Sequence, residues 1–172
     1  LRDDDGQLVP DGEIGEIHIG GAVVIREYFN NPEATAKARH GTFFTLGDMG
    51  RFDDEGYLYI VDRKKDMIIS GGENIFPNDI EDVLYKHPAV EAAAVVGAPD
   101  PKWGEIVVAA VALRPGHQVT EEELIAHCKD HLAPFRVPKR IDFRKQLPMS
   151  SFGKILRREV RQEFWAGQDV RV

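Results

Sequence analysis

A lysine in the last twenty residues of the chain has the sequence context of a catalytic cation. Lys154 ends the polar stretch Pro-Met-Ser-Ser-Phe-Gly-Lys, which precedes a predicted amphipathic helix. Gly153 has no Cβ, so the loop could enter a cleft without a side-chain clash. An ammonium about 4 Å from a developing negative charge contributes ~4 kcal/mol at an effective dielectric constant of 20. We expect Lys154 to stabilise charge on a phosphate or carboxylate; the alternative is an ordinary exposed lysine.

Asp48 and Arg63, in the first half of the chain, have side chains that could bind a nucleotide. Asp48 ends the sequence Thr-Leu-Gly-Asp, and its two carboxylate oxygens could accept hydrogen bonds from both hydroxyls of a ribose. Arg63 ends Val-Asp-Arg, and a guanidinium group can bridge sugar and phosphate oxygens. The alternatives are that Asp48 stabilises a turn and that Arg63 forms an ion pair with Asp62 or Asp66.

These stretches resemble, in their order and separation, the last third of the adenylate-forming enzymes, which comprise acyl-CoA synthetases, luciferases and peptide-synthetase adenylation domains. The wording Ile-Ile-Ser-Gly-Gly-Glu-Asn-Ile-Phe-Pro is most similar to that of bacterial fatty-acid or aryl-acid CoA ligases. The resemblance covers nearly all 172 residues. It implies two steps: a carboxylic acid attacks the α-phosphate of ATP to give an acyl-adenylate, and the thiol of coenzyme A then displaces AMP.

The resemblance also implies roles for individual residues. Lys154 matches the catalytic lysine of the family, Asp48 the residue that binds the ribose, and Arg63 an arginine near the ribose and phosphate. Lys65 matches the hinge at which the small C-terminal domain rotates between the two half-reactions, with Lys64 as the near alternative. Mg²⁺ is expected to accompany ATP without binding to side chains of this sequence.

A coenzyme A site is implied by the same resemblance. Gly71 and Gly72 would line the tunnel for the pantetheine arm, followed by Glu73. The indole of Trp103 would stack on adenine. The residues expected to contact CoA phosphates are Phe135, Arg136 and Lys139. The alternatives are a plain tight turn at the glycines and a Trp103 that packs on its own domain. Val137 stands where some relatives have a basic residue.

The phosphate-binding loop of the family, a Ser/Thr/Gly-rich run that ends in Pro-Lys-Gly, does not occur in this sequence. We therefore interpret the chain as the C-terminal part of a longer ligase and expect it to be inactive alone. The alternatives are an adenylation domain that loads a carrier protein and a non-catalytic lid module that binds a nucleotide or a partner. The hinge sequence Asp-Arg-Lys-Lys-Asp-Met-Ile-Ile does not resemble the Gly-Arg-x-Asp-x-Gln-Val-Lys of adenylation domains.

Composition restricts the partners. A net charge of −7 argues against a general nucleic-acid surface. Basic residues are concentrated near the end of the chain, as far as Arg171, and such a basic face suits an anionic small molecule; for Arg157, Arg158 and Arg161 the alternative is a solvated helix face. No apolar run approaches 18 residues, so no transmembrane segment is expected. The six histidines show no ligand spacing, so no metal site is expected.

The single cysteine excludes an internal disulfide. Cys128 fits a reducing compartment, and we expect a cytoplasmic protein. Its spacing from Leu124 is helical, which favours a core residue over a nucleophile.

The pattern of elements predicts an α+β protein in two parts. Residues 1–65 are interpreted as the β-rich end of the large domain, with a helix at 33–39 after the cap Asn31 and a hairpin with a polar tip. Its aromatic residues are expected to pack against the rest of that domain, which leaves apolar patches and makes self-association possible. These aromatic residues are Phe43, Phe44, Tyr57 and Tyr59.

Residues 66–172 are interpreted as the small lid domain. The order α-β-β-α-β-α predicts a three-stranded sheet flanked by helices. Asn78 is the predicted cap of the first helix and Thr120 opens the second through a capping box with Glu123. The strands are expected at 90–96, 106–113 and 140–144, and the last helix from 155 to 164.

Overall fold

The computed structural model describes residues 1–166, and their contacts divide the chain into two compact units, Leu1–Lys65 and a second that begins at Asp66. The first unit is a four-stranded antiparallel sheet with one short helix. Its elements are β1 (Gly15–Gly20), α1 (Pro32–Ala38), β2 (Arg39–His40), β3 (Phe43–Phe52) and β4 (Leu58–Arg63). A 3₁₀ turn, Lys64–Asp66, follows β4.

Strand β3 is the centre of the first sheet. One of its edges pairs with β1, and its other edge pairs with β2 near the start and with β4 near the end. The predicted hairpin is confirmed as β3–β4, and the Asp53 carboxylate in its tip accepts hydrogen bonds from the backbone N–H groups of Glu55 and Tyr57. The predicted helix begins one residue earlier, because Pro32 occupies its first turn while the Asn31 side chain accepts from the N–H of Ala34.

The first unit has very few buried apolar side chains, namely Ala38 and Phe44. The expectation that Phe44 is free to pack elsewhere is wrong: this ring is 3% exposed and lies against Tyr28, with ring centroids 5.5 Å apart. Phe43, Tyr57 and Tyr59 are exposed, as are most other large apolar side chains of this unit.

The second unit is a sheet covered by helices, which confirms the predicted α+β class. Its elements are β5 (Ile68–Ser70), β6 (Glu73–Ile75), α2 (Pro77–Tyr85), β7 (Val90–Asp100), β8 (Gly104–Leu113), α3 (Glu121–Lys129), β9 (Arg140–Arg144) and α4 (Arg157–Phe164). Antiparallel β7 and β8 form its long hairpin. The other edge of β8 pairs with β5 at Gly104 and, in parallel, with β9 from Val108 to Ala112.

The sheet of the second unit has five strands instead of the predicted three. The three predicted strands are present as β7, β8 and β9, and the hairpin β5–β6 is added to them. Strands of three residues are too short to show an alternating pattern, which is why the sequence did not reveal them. Strand β7 also extends beyond the predicted end through Pro99, which an edge strand tolerates because its outer N–H groups have no ladder partner.

Alternate residues of β7 and β8 are buried on opposite faces of the sheet. Ala93 and Val95 join the larger core cluster, which includes side chains of α2 and α3. Ala94 and Val96 join a smaller cluster with Val160 of α4. The continuous apolar runs of these strands therefore follow from burial on both faces.

Helix boundaries agree with the sequence at α3 and differ at α2. The capping box of Thr120 and Glu123 is confirmed, with both reciprocal hydrogen bonds present. The prediction that Asn78 caps α2 is wrong, because the helix begins at Pro77 and the preceding Phe76 makes no side-chain cap. Proline suits the first helical position, where its missing N–H would have no intrahelical partner. No helix within residues 1–166 is long and apolar enough to cross a membrane.

Candidate functional site

The two predicted nucleotide residues of the first unit are direct cross-strand neighbours. Asp48 of β3 is paired in register with Arg63 of β4, and Arg63 Nε lies 3.4 Å from Asp48 Oδ1. The Asp48 side chain is 25% exposed and that of Arg63 is 58% exposed. A carboxylate and a guanidinium group side by side offer hydrogen-bond acceptors for hydroxyls next to donors for an anion.

The two lysines at the predicted hinge differ in their surroundings. Lys64 Nζ lies 2.8 Å from Glu16 Oε2 and 2.8 Å from Asp4 Oδ1. Burial lowers the pKa of Lys64, but its hydrogen bonds to Asp4 and Glu16 and their charges outweigh burial, and the net pKa is raised. Lys65 is exposed and is the last residue of the first unit. Lys64 is thus fastened within the first unit, which leaves Lys65 as the better match to a hinge.

Lys154 lies on a short hairpin that its own backbone closes. The N–H of Ser150 donates to the carbonyl of Lys154 over 2.8 Å, and the N–H of Lys154 donates to Ser150 Oγ over 3.1 Å. Met149 and Ile155 form an antiparallel bridge at the base. Gly153 has φ +76°, a left-handed conformation that side chains disfavour.

The tip of this hairpin is open to solvent. Phe152 is 90% exposed and Lys154 is exposed beside it. Within residues 1–166 no carboxylate lies within ion-pair distance of the Lys154 ammonium. The hairpin therefore holds the backbone of this lysine while its charge stays available.

The glycine turn, defined here as Gly71 and Gly72 between β5 and β6, is covered on one side by Trp103. The N–H of Gly71 donates to the carbonyl of Trp103 over 2.9 Å. A Cβ at Gly71 would lie 2.8 Å from Trp103 Cε3, whereas a Cβ at Gly72 would meet no atom within 4 Å. Both glycines have positive φ, at 61° and 91°. The structure thus brings three of the predicted coenzyme A residues together, with open space in front of Gly72.

Trp103 packs on its own unit and also remains accessible. It occupies the tip of the β7–β8 hairpin, where Asp100 Oδ1 accepts a hydrogen bond of 2.8 Å from its backbone N–H. The side chain of Lys102 places its Nζ 4.7 Å from the centroid of the indole. Trp103 is nevertheless 47% exposed, so part of the ring is open for stacking. Glu73, next to the glycine turn in β6, is exposed.

The residues predicted to contact CoA phosphates are less free than the sequence suggested. Arg136 Nη1 lies 2.9 Å from Asp79 Oδ2 of α2, and its guanidinium carbon lies 5.5 Å from the centroid of Phe135. A phosphate would compete with Asp79 for this guanidinium. Lys139 is exposed and lines an apolar groove of about 530 Å³. Val137 is 5% exposed in the core, which explains an apolar residue at this position.

Two of the three basic residues of α4, Arg157 and Arg161, bind carboxylates and therefore form neither an anion site nor a solvated face. Arg157 binds the Glu81 carboxylate, with 2.7 Å between Nε and Oε1, and also donates to Asn78. Arg161 Nη2 lies 2.7 Å from Glu105 Oε1. Both glutamates are almost completely buried, at 8% and 9% exposure.

Two arginines outside this arrangement were also part of the sequence prediction. Arg158 is exposed, and Arg171 lies outside the described residues. Glu81 and Glu105 were not predicted from the sequence, although each lies beside or within a segment of apolar core residues, where a charge requires a partner.

Cys128 is a core residue, as predicted. Burial raises the pKa of its thiol to about 11, so the thiol is protonated and unreactive near neutral pH. Histidine rings do contact one another at His87 and His127, with centroids 5.2 Å apart, and at His127 and His131. In the described part of the chain, no three His, Cys, Asp or Glu side chains are arranged to hold a metal ion.

The candidate residues form separate groups within their own units. Asp48 and Arg63 form one group in the first unit. In the second unit the glycine turn with Trp103 forms another, and no hydrogen bond or ion pair among residues 66–166 connects it to the Lys154 hairpin.

Known proteins resemble this chain in sequence and in fold. Residues 79–154 match the model of the AMP-binding enzyme C-terminal domain. A feruloyl-CoA synthase from Amycolatopsis is 47% identical over 92% of this chain and 32% of its own length. A long-chain-fatty-acid–CoA ligase from Mycobacterium tuberculosis is 45% identical over 96% of this chain and 33% of its own length.

A solved structure, that of an amide bond synthetase from Marinactinospora thermotolerans, superposes with a TM-score of 0.86 at 40% identity, over 95% of this chain and 33% of that chain. Residues 79–154 thus belong to the AMP-binding enzyme C-terminal domains, and nearly the whole chain is similar to acid–CoA ligases and other adenylate-forming enzymes. The chain spans about a third of the length of the curated relatives it matches.

Proposed function

We propose that this chain is the C-terminal part of an ATP-dependent acid–CoA ligase. In the first step a carboxylate oxygen bonds to the α-phosphorus of ATP and pyrophosphate leaves. In the second the sulfur of coenzyme A bonds to the acyl carbon and AMP leaves with the electrons of the broken C–O bond. The observation that carries this proposal is the Lys154 hairpin, which holds an available ammonium group on a fixed backbone.

In the first step Lys154 would stabilise the charge that develops between the carboxylate and the phosphate. The closed hairpin supports this role, because a cation that is already held in place needs less reorganisation during the reaction. Asp48 and Arg63 would bind the ribose and the phosphate of the nucleotide, which their adjacent positions on β3 and β4 support. Mg²⁺ would enter with ATP.

In the second step the thiol would approach along the glycine turn. The open space in front of Gly72 and the half-exposed indole of Trp103 support a path for the pantetheine arm beside a stacking surface for adenine. Glu73 would border this path. Lys139 is available for a phosphate, and Arg136 would have to exchange Asp79 for one. The names of the relatives favour a fatty or aryl acid as the substrate.

A second candidate is a ligase that passes the acyl group to an amine. The similarity to an amide bond synthetase supports it, since that enzyme shares this part of the fold at 40% identity. The two candidates differ in the acceptor of the second step. Equal yields with coenzyme A and with an amine, or amide product alone, would favour this second candidate.

The remaining two thirds of the relatives' length would supply the phosphate-binding loop and the acid pocket. Lys65 would be the hinge between the first unit, which would complete the large domain, and the second unit, which begins at Asp66. The 172-residue chain should therefore form no acyl-CoA, and its exposed apolar side chains should promote self-association. We place the protein in the cytoplasm, where a lone buried thiol such as Cys128 stays reduced.

The test separates the two half-reactions in the proposed full-length enzyme. Lys154→Ala should slow acyl-adenylate formation by ~10²–10⁴, the range expected for the loss of one preorganised charge. Supplied with premade acyl-adenylate, the same variant should transfer the acyl group to coenzyme A at nearly the parental rate. Lys145→Ala, which removes another exposed lysine, is the control. Equal slowing of both steps by Lys154→Ala would contradict the assigned role.

A complementary pair tests the glycine turn. Gly72→Trp should block transfer to coenzyme A while it spares pyrophosphate release, because the indole would fill the open space. Gly72→Ala brings the same backbone strain at φ +91° without the bulk and is the matched control. If the alanine variant lost transfer as completely as the tryptophan variant, strain and not obstruction would be the cause.

A further inference from the structure

The second unit contains two buried carboxylates that each bind an arginine of α4. Glu81 of α2 and Glu105 of β8 also each accept a hydrogen bond from a backbone N–H. Both oxygens of Glu81 accept from its arginine, whereas Glu105 binds the arginine through one oxygen and the backbone through the other. The two arginines, Arg157 and Arg161, are four residues apart and therefore neighbours on one face of the helix. The two carboxylates differ in the backbone segment that each one holds.

Glu105 holds the strand that leads into the glycine turn. Its Oε2 accepts a hydrogen bond of 3.1 Å from the N–H of Ile69, two residues before Gly71. Strand β5 pairs with β8 only at Ser70 and Gly104. At Ile69 the backbone of β8 therefore offers β5 no acceptor, and the Glu105 side chain accepts the hydrogen bond instead.

Glu81 holds the start of α4, which follows the Lys154 hairpin directly. Its Oε1 accepts from Arg157 Nε over 2.7 Å and from the N–H of Val95 over 2.8 Å. Arg157 is three residues after Lys154, and its Nη1 also lies 3.9 Å from Asp66 Oδ2, just after the proposed hinge. The pair of Arg157 and Glu81 thus ties the start of α4, three residues after Lys154, to α2.

We propose that Glu81 and Glu105 are positioning residues for different half-reactions, Glu81 for the Lys154 hairpin and Glu105 for the glycine turn. This inference rests on the proposed two-step function and deepens it. Neither glutamate has a role in the chemistry itself. Each acts through a group that it holds, Arg157 in one case and the Ile69 N–H in the other.

Glutamine substitutions test the inference because an amide has one acceptor oxygen where a carboxylate has two. In Glu105→Gln the oxygen can serve Arg161 or Ile69, and the NH₂ group then faces the other donor. In Glu81→Gln the oxygen can keep both Arg157 Nε and the Val95 N–H, and the NH₂ group then faces Arg157 Nη2. Both variants replace one carboxylate oxygen with an NH₂ group at equally buried sites. Each is therefore the matched control of the other. Glu91→Gln, on an exposed side chain, is the neutral control.

In the proposed full-length enzyme, well below the melting temperature of every variant, the two substitutions should give opposite results. Glu105→Gln should slow transfer from premade acyl-adenylate to coenzyme A by about tenfold and change adenylation by less than about twofold. Glu81→Gln should slow adenylation by about tenfold and spare transfer; these sizes fit a displacement of well under 1 Å. Simple loss of stability would slow both steps together, so equal slowing, or no slowing, by both variants overturns the inference.

Amide hydrogen exchange in the 172-residue chain provides a readout that does not require activity. Glu105→Gln should speed exchange at Ile69 and Gly71 but not at Val95, and Glu81→Gln should leave exchange at Ile69 and Gly71 unchanged. Unchanged exchange at Ile69 in Glu105→Gln would overturn the positioning role. If the parental enzyme formed no acyl-adenylate, the proposed function would fail, and exchange alone would decide whether Glu105 holds the strand before the glycine turn.

Discussion

The two units of the chain are equally rich in strands but differ in how they bury apolar side chains. In the second unit both faces of β7 and β8 are covered, and side chains such as Leu84 and Val108 are completely buried. In the first unit the buried apolar side chains are Ala38 and Phe44, while Leu46 and Ile60 are mostly exposed. Apolar content therefore does not make a core; a second layer to cover the sheet does. We expect the first unit to depend on its strand ladder and the second on its core.

The largest expected effect is on independent folding. A protein of residues 66–172 should unfold in urea with one cooperative transition, because it contains its own core. A protein of residues 1–65 should show no cooperative transition, since a small sheet with so few buried apolar side chains is marginal in water. Circular dichroism during urea titration measures both. A sharp transition for residues 1–65 would remove the difference between the units.

Proteolysis of the intact chain gives an independent measurement of the same difference. Trypsin should cut first near Arg63, Lys64 or Lys65, between the units. Earlier cleavage within residues 66–166 would contradict the prediction that the first cut falls between the units.

The next effect compares the same substitution in the two units. Leu84→Ala should lower the free energy of unfolding by about 2–5 kcal/mol, because Leu84 is 0% exposed and a cavity remains. Leu46→Ala, at 57% exposure on β3, should cost less than about 1 kcal/mol. Urea denaturation of the 172-residue chain measures both variants. Similar losses would show that Leu46 is packed in solution.

A smaller effect compares the N-caps of the two units. Thr120→Ala removes a complete capping box and should destabilise the second unit by about 1 kcal/mol. Asn31→Ala removes the cap of α1 and should leave the unfolding of the second unit unchanged. Alkylation of Cys128 reports on the second unit alone, because this buried thiol, with its pKa raised to about 11, reacts only when the unit opens. Faster alkylation in Asn31→Ala would mean that the units unfold together.

The smallest effect concerns acid. Burial first, and then the proximity of His127, lowers the pKa of His87 below its ordinary value of 6.5. The unfolded chain then takes up this proton first, so stability should fall as the pH drops through about 6.5 and level off below the folded pKa. Protonation also removes the acceptor that His87 Nδ1 offers to the N–H of Ala89. His87→Gln should flatten the dependence between pH 7 and 5, with exposed His117→Gln as the control; an unchanged slope would exclude His87 as its source.

Sequence patterns predicted the second unit better than the first. The capping box of Thr120 and Glu123 depends on neighbours within one helix, so their spacing alone reveals it. Phe44 was assigned incorrectly because its burial depends on Tyr28, sixteen positions away and outside any periodic element. The motifs around Lys154 and Gly71 are also local, so the sequence predicts these loops as candidate sites. Their geometry follows only from the structure.

The acidic partners could not be predicted in the same way. Glu81 and Glu105 look like ordinary helix and strand residues, and their arginines lie 76 and 56 positions away along the chain. Asn78 has the residue type of a helix cap but instead accepts a hydrogen bond from Arg157. Long-range ion pairs leave no periodic signal, and they become visible only when the strands and helices are placed.

Gly97 also limits how this part of the molecule can vary. A Cβ at position 97 would lie 2.4 Å from Glu105 Oε2, and the carbonyl of Gly97 accepts a hydrogen bond of 2.9 Å from Trp165 Nε1. Any larger residue at 97 would thus displace the Glu105 carboxylate, which would then lose the N–H of Ile69. The residues at 97 and 105 therefore constrain each other, so related proteins with Glu at 105 should also have Gly at 97. An engineer who reshapes the glycine turn would have to redesign the pair together.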